Sequence, residues 1–299
     1  MLETGQPADA LRLAKSAIAG QETERGLYYL TAQCYRALSR YDDMYEALQA
    51  EIARDPHHPA TEELKAWAPY LQRDQTTRSG NDRSYSTSLD RVLMHRIQKA
   101  CHAYRYRGVK LIKNPFDFAI YPMIIWDLQP RTIFEIGSQA GGSAIWFGDL
   151  LENFGIDGSV HSIDVVKVTD VSHPRVTFYE GNGRALGETF SPKFLECRPR
   201  PWLVIEDADH SYETTSAALQ FFHPFLKKGD FIAIEDGIIS DLTDDSTYSS
   251  GPHLGIKEFL ANFPEDYEIE ARYCDFFGYN VTWCTNGFLR VTKPPAATE

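Results

Sequence analysis

Three carboxylates and a histidine stand close together in the middle of the chain. The stretch Trp202–Glu213 reads WLVIEDADHSYE, and its apolar run ends at Glu206, Asp207 and Asp209, with His210 beside them. Like charges this close repel one another unless water or a cation compensates them. One interpretation is a polar loop that follows a buried strand. The other is a site for a cation.

A glycine-rich turn follows an earlier apolar run. In IFEIGSQAGGSAIWF the run ends near Glu135, and Gly137, Ser138, Gly141, Gly142 and Ser143 lead into a predicted helix. Glycine lets the backbone approach a ligand, and a helix N-terminus offers free N–H groups. The pattern lacks the G-x-G-x-x-G of nicotinamide or flavin binding and the Lys-Ser/Thr of a phosphate loop. Such turns also occur without a ligand.

Two further apolar runs end in polar side chains. Asp164 ends the next run, about thirty residues after Glu135, where an acid can accept both hydroxyls of a ribose. Asn182 follows the run after that and is well placed to meet the edge of an adenine. With the glycine-rich turn, these residues describe an adenosine site that has no phosphate subsite. S-adenosylmethionine fits that description.

The elements that must position these residues alternate along the chain. Segments long enough for helices separate the apolar runs, which predicts parallel strands buried on both faces. Two late strands, FFGYNVTWC and GFLRVTK, flank Thr285-Asn286-Gly287, a hairpin signal. We therefore predict an α/β fold with a Rossmann-like seven-stranded sheet, a C-terminal antiparallel hairpin and a small all-helical N-terminal region. The five earlier strands are predicted at 132–137, 159–165, 176–181, 202–207 and 231–236.

From about Asn114 to Lys293 the chain resembles the class I S-adenosylmethionine-dependent methyltransferases. Within that fold it is most similar to the cephalosporin hydroxylase-like family, which includes rhamnosyl and macrolide-sugar O-methyltransferases. The matching motifs are FEIGSQAGGSA, HSIDV, VIEDADHSYE, FIAIEDG and NGFLRV.

The resemblance implies a divalent ion held by an acid after the fourth strand and a pair after the fifth, which here are Asp207, Glu235 and Asp236. Oxygen ligands without cysteine or paired histidines favour Mg²⁺. The resemblance also places a general base at His210, although this residue could instead cap the following helix. The cofactor contacts that we expect are Glu135, Gly137, Ser138, Gly141, Gly142, Ser143, Asp164, Asn182 and Asp207.

Neighbouring acids have other interpretations. Glu206 is expected on the opposite face of the strand from Asp207, because strand side chains alternate. Asp209 is either a supporting acid beside the metal or a helix N-cap.

Three functions remain open from the sequence. The first is an S-adenosylmethionine- and Mg²⁺-dependent O-methyltransferase acting on a hydroxyl of a sugar, a glycosylated natural product or a surface glycan. The second is an oxidative hydroxylase, as the family's historical label suggests, although Fe(II) sites normally use two histidines and one carboxylate. The third is a non-catalytic, methyltransferase-like scaffold that supports the N-terminal helices.

Composition limits the partners. The chain has 299 residues and a net charge of −12 with no basic block, which argues against nucleic acid as a partner. Its five cysteines are scattered and give no disulfide or zinc pattern. No long apolar segment predicts membrane insertion, so we expect a cytoplasmic protein. The resemblance suggests a homo-oligomer.

The N-terminal region is helical in pattern. Tyr28–Pro56 carries Ala32, Tyr35, Tyr41 and Leu48 at spacings similar to a tetratricopeptide hairpin. An ordinary helical subdomain is an equal alternative. We predict a helical region at 1–72 that could contact another protein, a polar linker at 73–90 and the methyltransferase domain at 91–299. Because the chain begins within a repeat-like pattern, it could be a piece of a longer polypeptide.

A few residues near the site received weaker interpretations. The polar segment 236–253 is predicted to act as a lid over the site, and His253 and Tyr248 are weak candidates for acceptor contact. His161 and His223 are expected to be structural. Six aromatic residues are interpreted either as a sugar-stacking wall or as core: Tyr121, Trp126, Phe276, Phe277, Tyr279 and Trp283.

Overall fold

The computed structural model divides the chain into two compact units, Met1–Gln75 and Thr76–Glu299. The residues that the structure describes are 6–20, 26–38, 40–63, 66, 83–243 and 251–293. Each unit has its own hydrophobic core.

The first unit contains helices α1 (Pro7–Ala19), α2 (Leu27–Ala37) and α3 (Tyr41–Arg54). Their apolar faces meet in one cluster, because each amphipathic helix must bury its stripe against a neighbour. Ala32, Tyr35 and Leu48 are members of this cluster. The predicted helical N-terminal region is confirmed, and its likeness to a tetratricopeptide repeat stays a prediction.

The second unit is built on a mixed sheet of seven strands in the order β5-β4-β3-β6-β7-β9-β8. Strands β3 to β7 are parallel, and β9 is antiparallel to both β7 and β8. The predicted seven-stranded α/β sheet is therefore confirmed. The strands are β3 (Thr132–Ile136), β4 (Ser159–Asp164), β5 (Val176–Glu180), β6 (Trp202–Glu206), β7 (Phe231–Ile234), β8 (Tyr267–Ile269) and β9 (Phe288–Val291).

Helices cover both faces of this sheet. Every residue of the central strands β3, β6 and β7 is buried, as expected for parallel strands packed on two sides. One face packs on α5 and α6, and the other on α8 and α10. The helices and the small ribbon of this unit are α4 (Arg91–Ala103), β1 (Arg105–Tyr106), β2 (Val109–Lys110), α5 (Asp117–Leu128), α6 (Gly142–Asn153), α7 (Pro192–Glu196), α8 (Tyr212–Phe222), α9 (Ile239–Leu242), α10 (Gly251–Asn262) and α11 (Ala271–Cys274).

The predicted C-terminal antiparallel pair of strands is confirmed, but the predicted strand FFGYNVTWC and its hairpin turn at Asn286 are wrong. β9 pairs antiparallel with β7 and β8, and FFGYNVTWC forms turns instead of a strand. The Asp117 carboxylate holds this segment, because it accepts hydrogen bonds from Thr282 Oγ1 and from the backbone N–H of Trp283. Asn286 has a left-handed backbone (φ 52°), so the Asn-Gly signal marks a tight turn but not a hairpin.

Residues 83–90, which the sequence places in the linker, contact the C-terminal turns of the second unit. The guanidinium of Arg83 pairs with both carboxylate oxygens of Asp275 and donates from Nε to Asn286 Oδ1. Asn286 Nδ2 in turn donates to the carbonyl of Ser84.

Among the described residues, none of the helices has the length and apolar character needed to cross a bilayer.

Candidate active site

A cavity of about 400 Å³ opens at the carboxyl ends of the parallel strands. In an open α/β sheet this edge is where ligands bind, because the strand order reverses there and leaves a crevice. Residues after β3, β4, β5, β6 and β7 all line the cavity. The predicted site residues among them are Gly137, Ser138, Ser143, Asp164, Asn182, Asp207, His210 and Asp236.

The glycine-rich turn is shaped by close backbone contacts. A Cβ on Gly137 would lie 2.0 Å from the carbonyl oxygen of Asp207, and the backbone there is left-handed (φ +104°). A Cβ on Gly142 would lie 2.2 Å from the carbonyl oxygen of Lys110. Gly141 is also left-handed (φ +84°) and is the N-cap residue of helix α6. The turn therefore brings the end of β3 against the loop that carries Asp207.

Asp164 and Asn182 each accept hydrogen bonds from the local backbone. Asp164 Oδ2 accepts from the backbone N–H of Gln139 at 2.7 Å, which ties the glycine-rich turn to the end of β4. Asn182 Oδ1 accepts from Arg184 N at 2.9 Å. In the glycine-rich turn, Ser138 Oγ lies 2.6 Å from Ser162 Oγ of strand β4.

Asp207, His210 and Asp236 form a compact group. One ligand atom from each lies within 4.8 Å of the other two. His210 Nδ1 is 3.1 Å from Asp236 Oδ2, and both residues have left-handed backbones (φ 57° and 54°). Such strain in residues other than glycine is typical of functional sites. Burial acts to lower the pKa of His210, but the Asp236 and Asp207 carboxylates outweigh it and raise that pKa.

Glu235 lies outside this group. Its Oε1 accepts hydrogen bonds from Lys113 Nζ and from the Tyr121 hydroxyl, the latter at 2.6 Å. Lys113 Nζ also donates to Asp207 Oδ2 at 2.8 Å, so the ammonium bridges the ends of β6 and β7. Burial acts against the charged ammonium, yet Asp207 and Glu235 raise the pKa of Lys113 well above its ordinary value.

Two other acids are fully enclosed. Glu135 Oε2 accepts from Ser162 Oγ, whereas Oε1 has no hydrogen-bond partner among the described residues. Burial raises the pKa of Glu135 to about 7. Glu206 accepts from Thr215 Oγ1 at 2.7 Å and from Ala208 N at 3.2 Å, on the face opposite Asp207, as the alternation of strand side chains predicts. Its pKa is also raised to about 7 by burial.

Ser211 is the N-cap of α8, since its hydroxyl accepts from Thr214 N. His210 precedes it and makes the contact with Asp236 instead. Asp209 Oδ1 accepts from the Ser211 hydroxyl at 2.7 Å, and its Oδ2 accepts from Arg184. Burial acts to raise the pKa of Asp209, but the hydrogen bonds from Ser211 and its neighbours lower it to about 2. Asp209 thus supports the helix start and belongs to no described metal-binding group.

The remaining candidates lie in several places. His161 contacts the Tyr179 hydroxyl at 2.9 Å, and His223 contacts the Tyr267 hydroxyl at 2.7 Å, so both have structural partners. His253 lines a second cavity and lies 2.6 Å from Thr285 Oγ1. Residues 244–250, with Tyr248 and the middle part of the predicted lid, lie outside the described residues.

The six aromatic residues do not line the cavity at the strand ends. Tyr121, Tyr279 and Trp283 are buried, whereas Trp126, Phe276 and Phe277 are exposed. The interpretation as a sugar-stacking wall at this cavity is therefore wrong, and half of the set is core.

Sequence reasoning missed the contribution of the segment before β3. Gln98, His102, Lys110 and Leu111 line the cavity, and Lys113 reaches the acids from the same stretch. The available signal was weak: Lys113 directly follows the apolar pair Leu111-Ile112 and precedes Asn114.

Comparison with known proteins agrees with this geometry. Residues 98–292 match the family model "Rhamnosyl O-methyltransferase/CmcI". The chain is 30% identical over 188 residues to the rhamnosyl O-methyltransferase of Mycobacterium leprae (strain TN), covering 62% of this chain and 81% of that protein. The Mycobacterium tuberculosis (strain ATCC 25618 / H37Rv) protein of the same name is 30% identical over 190 residues, covering 62% of this chain and 76% of the relative.

Solved structures show the same fold. The structure named "cmcI-D160 Mg-SAM" is 27% identical with a TM-score of 0.51, and the match covers 64% of this chain and 77% of that one. "CmcI-N160 apo-structure" is 28% identical with a TM-score of 0.52 and the same coverage. The family match spans more than half of the chain and contains every site residue described above. The chain therefore belongs to the Rhamnosyl O-methyltransferase/CmcI family.

Proposed function

We propose that the protein transfers the methyl group of S-adenosylmethionine to a hydroxyl of a sugar, in a glycosylated natural product or a surface glycan. The observation that carries this proposal is the position of the Asp207, His210 and Asp236 group, which lines the same cavity as Asp164 and the glycine-rich turn. A nucleoside at one end of this cavity and a cation at the other would place a methyl donor beside an activated hydroxyl. The names of the curated relatives and of the CmcI structures support the sugar acceptor and the cofactor.

The cofactor residues fit S-adenosylmethionine. Gly137, Ser138 and Ser143 line the cavity at the turn, whereas Gly141 and Gly142 pack closely against other parts of the protein and shape the turn from behind. Asp164 Oδ2 accepts from Gln139 N, and Oδ1 accepts only a long contact of 3.5 Å from Val166 N, so ribose hydroxyls could also donate to Oδ1. Glu135 Oε1 is a buried acceptor with no partner among the described residues, and an ammonium group, directly or through water, would satisfy it.

The carboxylates offer oxygens to a divalent cation, with Asp207 and Asp236 in one compact group and Glu235 outside it. Each of the three acids uses one carboxylate oxygen in a contact. Asp207 contacts Lys113, and Glu235 contacts Lys113 and Tyr121. Asp236 contacts His210. In the part of the chain that the structure describes, the second oxygen of each has no hydrogen-bond partner. Three such oxygens are hard ligands of the kind that Mg²⁺ prefers. We propose that Mg²⁺ binds them, and that Asp207 also borders the cofactor.

The chemistry follows from the positions of these groups. A bound Mg²⁺ would lower the pKa of a sugar hydroxyl and fix its orientation. The hydroxyl oxygen forms a bond to the methyl carbon while the bond from that carbon to sulfur breaks, and S-adenosylhomocysteine leaves. His210 accepts the hydroxyl proton, because Asp236 holds its Nδ1 and so directs the lone pair to Nε2.

The hydroxylase alternative is weaker at this site. The group that faces the cavity supplies one histidine and two carboxylates, whereas Fe(II) oxygenases use two histidines and one carboxylate.

The function is tested by incubating the full chain with methyl-labelled S-adenosylmethionine, MgCl2 and a panel of rhamnosides, with other glycosides as controls. We expect label in one class of glycoside together with S-adenosylhomocysteine, and loss of both when EDTA is added. Absence of transfer together with no heat on titrating S-adenosylhomocysteine would favour the scaffold alternative.

A further inference from the structure

Lys113 contacts two of the proposed metal ligands. Its ammonium donates to Asp207 Oδ2 at 2.8 Å and to Glu235 Oε1, and its side chain is 1% exposed. The residue lies between β2 and α5, far in sequence from both acids. A lysine buried this deeply is costly unless its charge is paired, so the two contacts determine its position.

The surroundings of Lys113 fix the ammonium further. Nζ lies 5.5 Å from the centre of the Tyr121 ring, and the hydroxyl of that ring donates to the same Glu235 oxygen. Tyr121 is fully buried in the core, so neither partner can rotate away without disturbing packing. The ammonium is therefore held in place by its two acid partners and by the Tyr121 ring.

The charges of the proposed metal ligands and of Lys113 can be counted for the metal-binding form, in which carboxylate ligands are ionised. With His210 neutral, Asp207, Glu235 and Asp236 contribute three negative charges, and Lys113 contributes one positive charge. The remainder is two negative charges, which a single divalent cation balances.

We propose that Lys113 is a positioning residue that acts as the internal counter-ion of the metal site. It holds Asp207 and Glu235 together and sets the site's charge to that of one divalent cation. The inference rests on the proposed function, because it assumes that a cation binds to these carboxylates. It implies that Lys113 weakens metal binding while it keeps the metal-free protein folded.

The test measures Mn²⁺ binding by electron paramagnetic resonance, without any turnover, in the wild type and in Lys113→Met and Lys113→Gln variants. Removal of a positive charge beside the cation should tighten Mn²⁺ binding on the order of tenfold or more in both variants. Gln keeps hydrogen-bond donors for the acids, so this variant decides the question if Lys113→Met does not fold. Lys228→Met, an exposed lysine before β7 at the opposite end of the sheet, should bind Mn²⁺ like the wild type.

A second readout is the melting temperature with and without Mn²⁺. In EDTA, both Lys113 variants should have a lower melting temperature than the wild type. Added Mn²⁺ should raise their melting temperatures by more than it raises that of the wild type, since the metal then supplies the missing counter-charge. Mn²⁺ affinity in Lys113→Gln that equals or falls below that of the wild type would overturn the inference. If the wild type itself binds no Mn²⁺, the proposed metal site fails, which is a separate result.

Discussion

His210 Nδ1 lies 3.1 Å from Asp236 Oδ2, so a carboxylate at the end of β7 orients an imidazole from the loop after β6. This contact fixes the orientation of the imidazole ring, with Nδ1 facing the acid.

Replacement of His210 should therefore affect chemistry more than binding. We expect His210→Gln to lower kcat by about 10²- to 10⁴-fold, because the acceptor hydroxyl loses its base. The dissociation constant of S-adenosylhomocysteine, measured by calorimetry, should change little. A variant with normal kcat would show that His210 is not the base.

Asp207 and Asp209 offer a matched pair of acids in one loop. Asp207→Asn should weaken Mn²⁺ binding by on the order of 10- to 100-fold, because a charged ligand is lost from the metal site. Asp209→Asn should leave Mn²⁺ affinity unchanged, since Asp209 contacts Ser211 and Arg184 instead. Titration of Mn²⁺ followed by electron paramagnetic resonance checks both, and equal losses in the two variants would contradict the assignment.

Gly137 is fixed by a backbone contact as well as by its conformation. Gly137→Ala should lower the free energy of unfolding by roughly 3 kcal/mol or more, because a Cβ would lie 2.0 Å from the Asp207 carbonyl oxygen. Gly229 is the control: its φ is +94° and nothing lies within 4 Å of an added Cβ. Gly229→Ala should lower the free energy of unfolding by about 1 kcal/mol, because only the strain of a left-handed backbone at alanine contributes. Urea denaturation measures both, and similar losses would mean that the contact at Gly137 relaxes easily.

Buried His161 should make the fold sensitive to acid. Burial lowers its pKa from 6.5 to about 4, so the unfolded chain binds more protons than the folded one between these values. Its contribution to stability is complete above about pH 6.5 and declines as the pH falls toward 4. Glu135 and Glu206 have raised pKa values and act in the opposite direction, so the informative quantity is a difference between variants.

Between about pH 7.5 and about pH 5, the wild type should lose about 2 kcal/mol more unfolding free energy than His161→Gln. Urea denaturation at both pH values gives this difference. His95→Gln removes an exposed histidine and should behave like the wild type. If the wild type and His161→Gln show the same pH dependence, burial does not keep His161 neutral.

The sequence predicted the five parallel strands because each is an apolar run bounded by polar turns, and this pattern depends on local residues. It also predicted that Asp164, Asn182, Asp207 and Asp236 would meet, since the carboxyl ends of parallel strands share one edge of a sheet. The contact of Lys113 with Asp207 could not be predicted in this way, because it joins residues 94 positions apart through tertiary packing alone. The strand predicted at FFGYNVTWC was wrong for a related reason. Asp117, distant in sequence, takes hydrogen bonds from Thr282 and Trp283 and holds them in turns.

The most direct test is a crystal structure of the protein soaked with S-adenosylhomocysteine and MnCl2, with anomalous data collected at the manganese edge. We expect the ribose hydroxyls at Asp164 and a single anomalous peak within coordination distance of Asp207 and Asp236. A nucleoside bound elsewhere, or no peak while these carboxylates turn to solvent, would contradict the account.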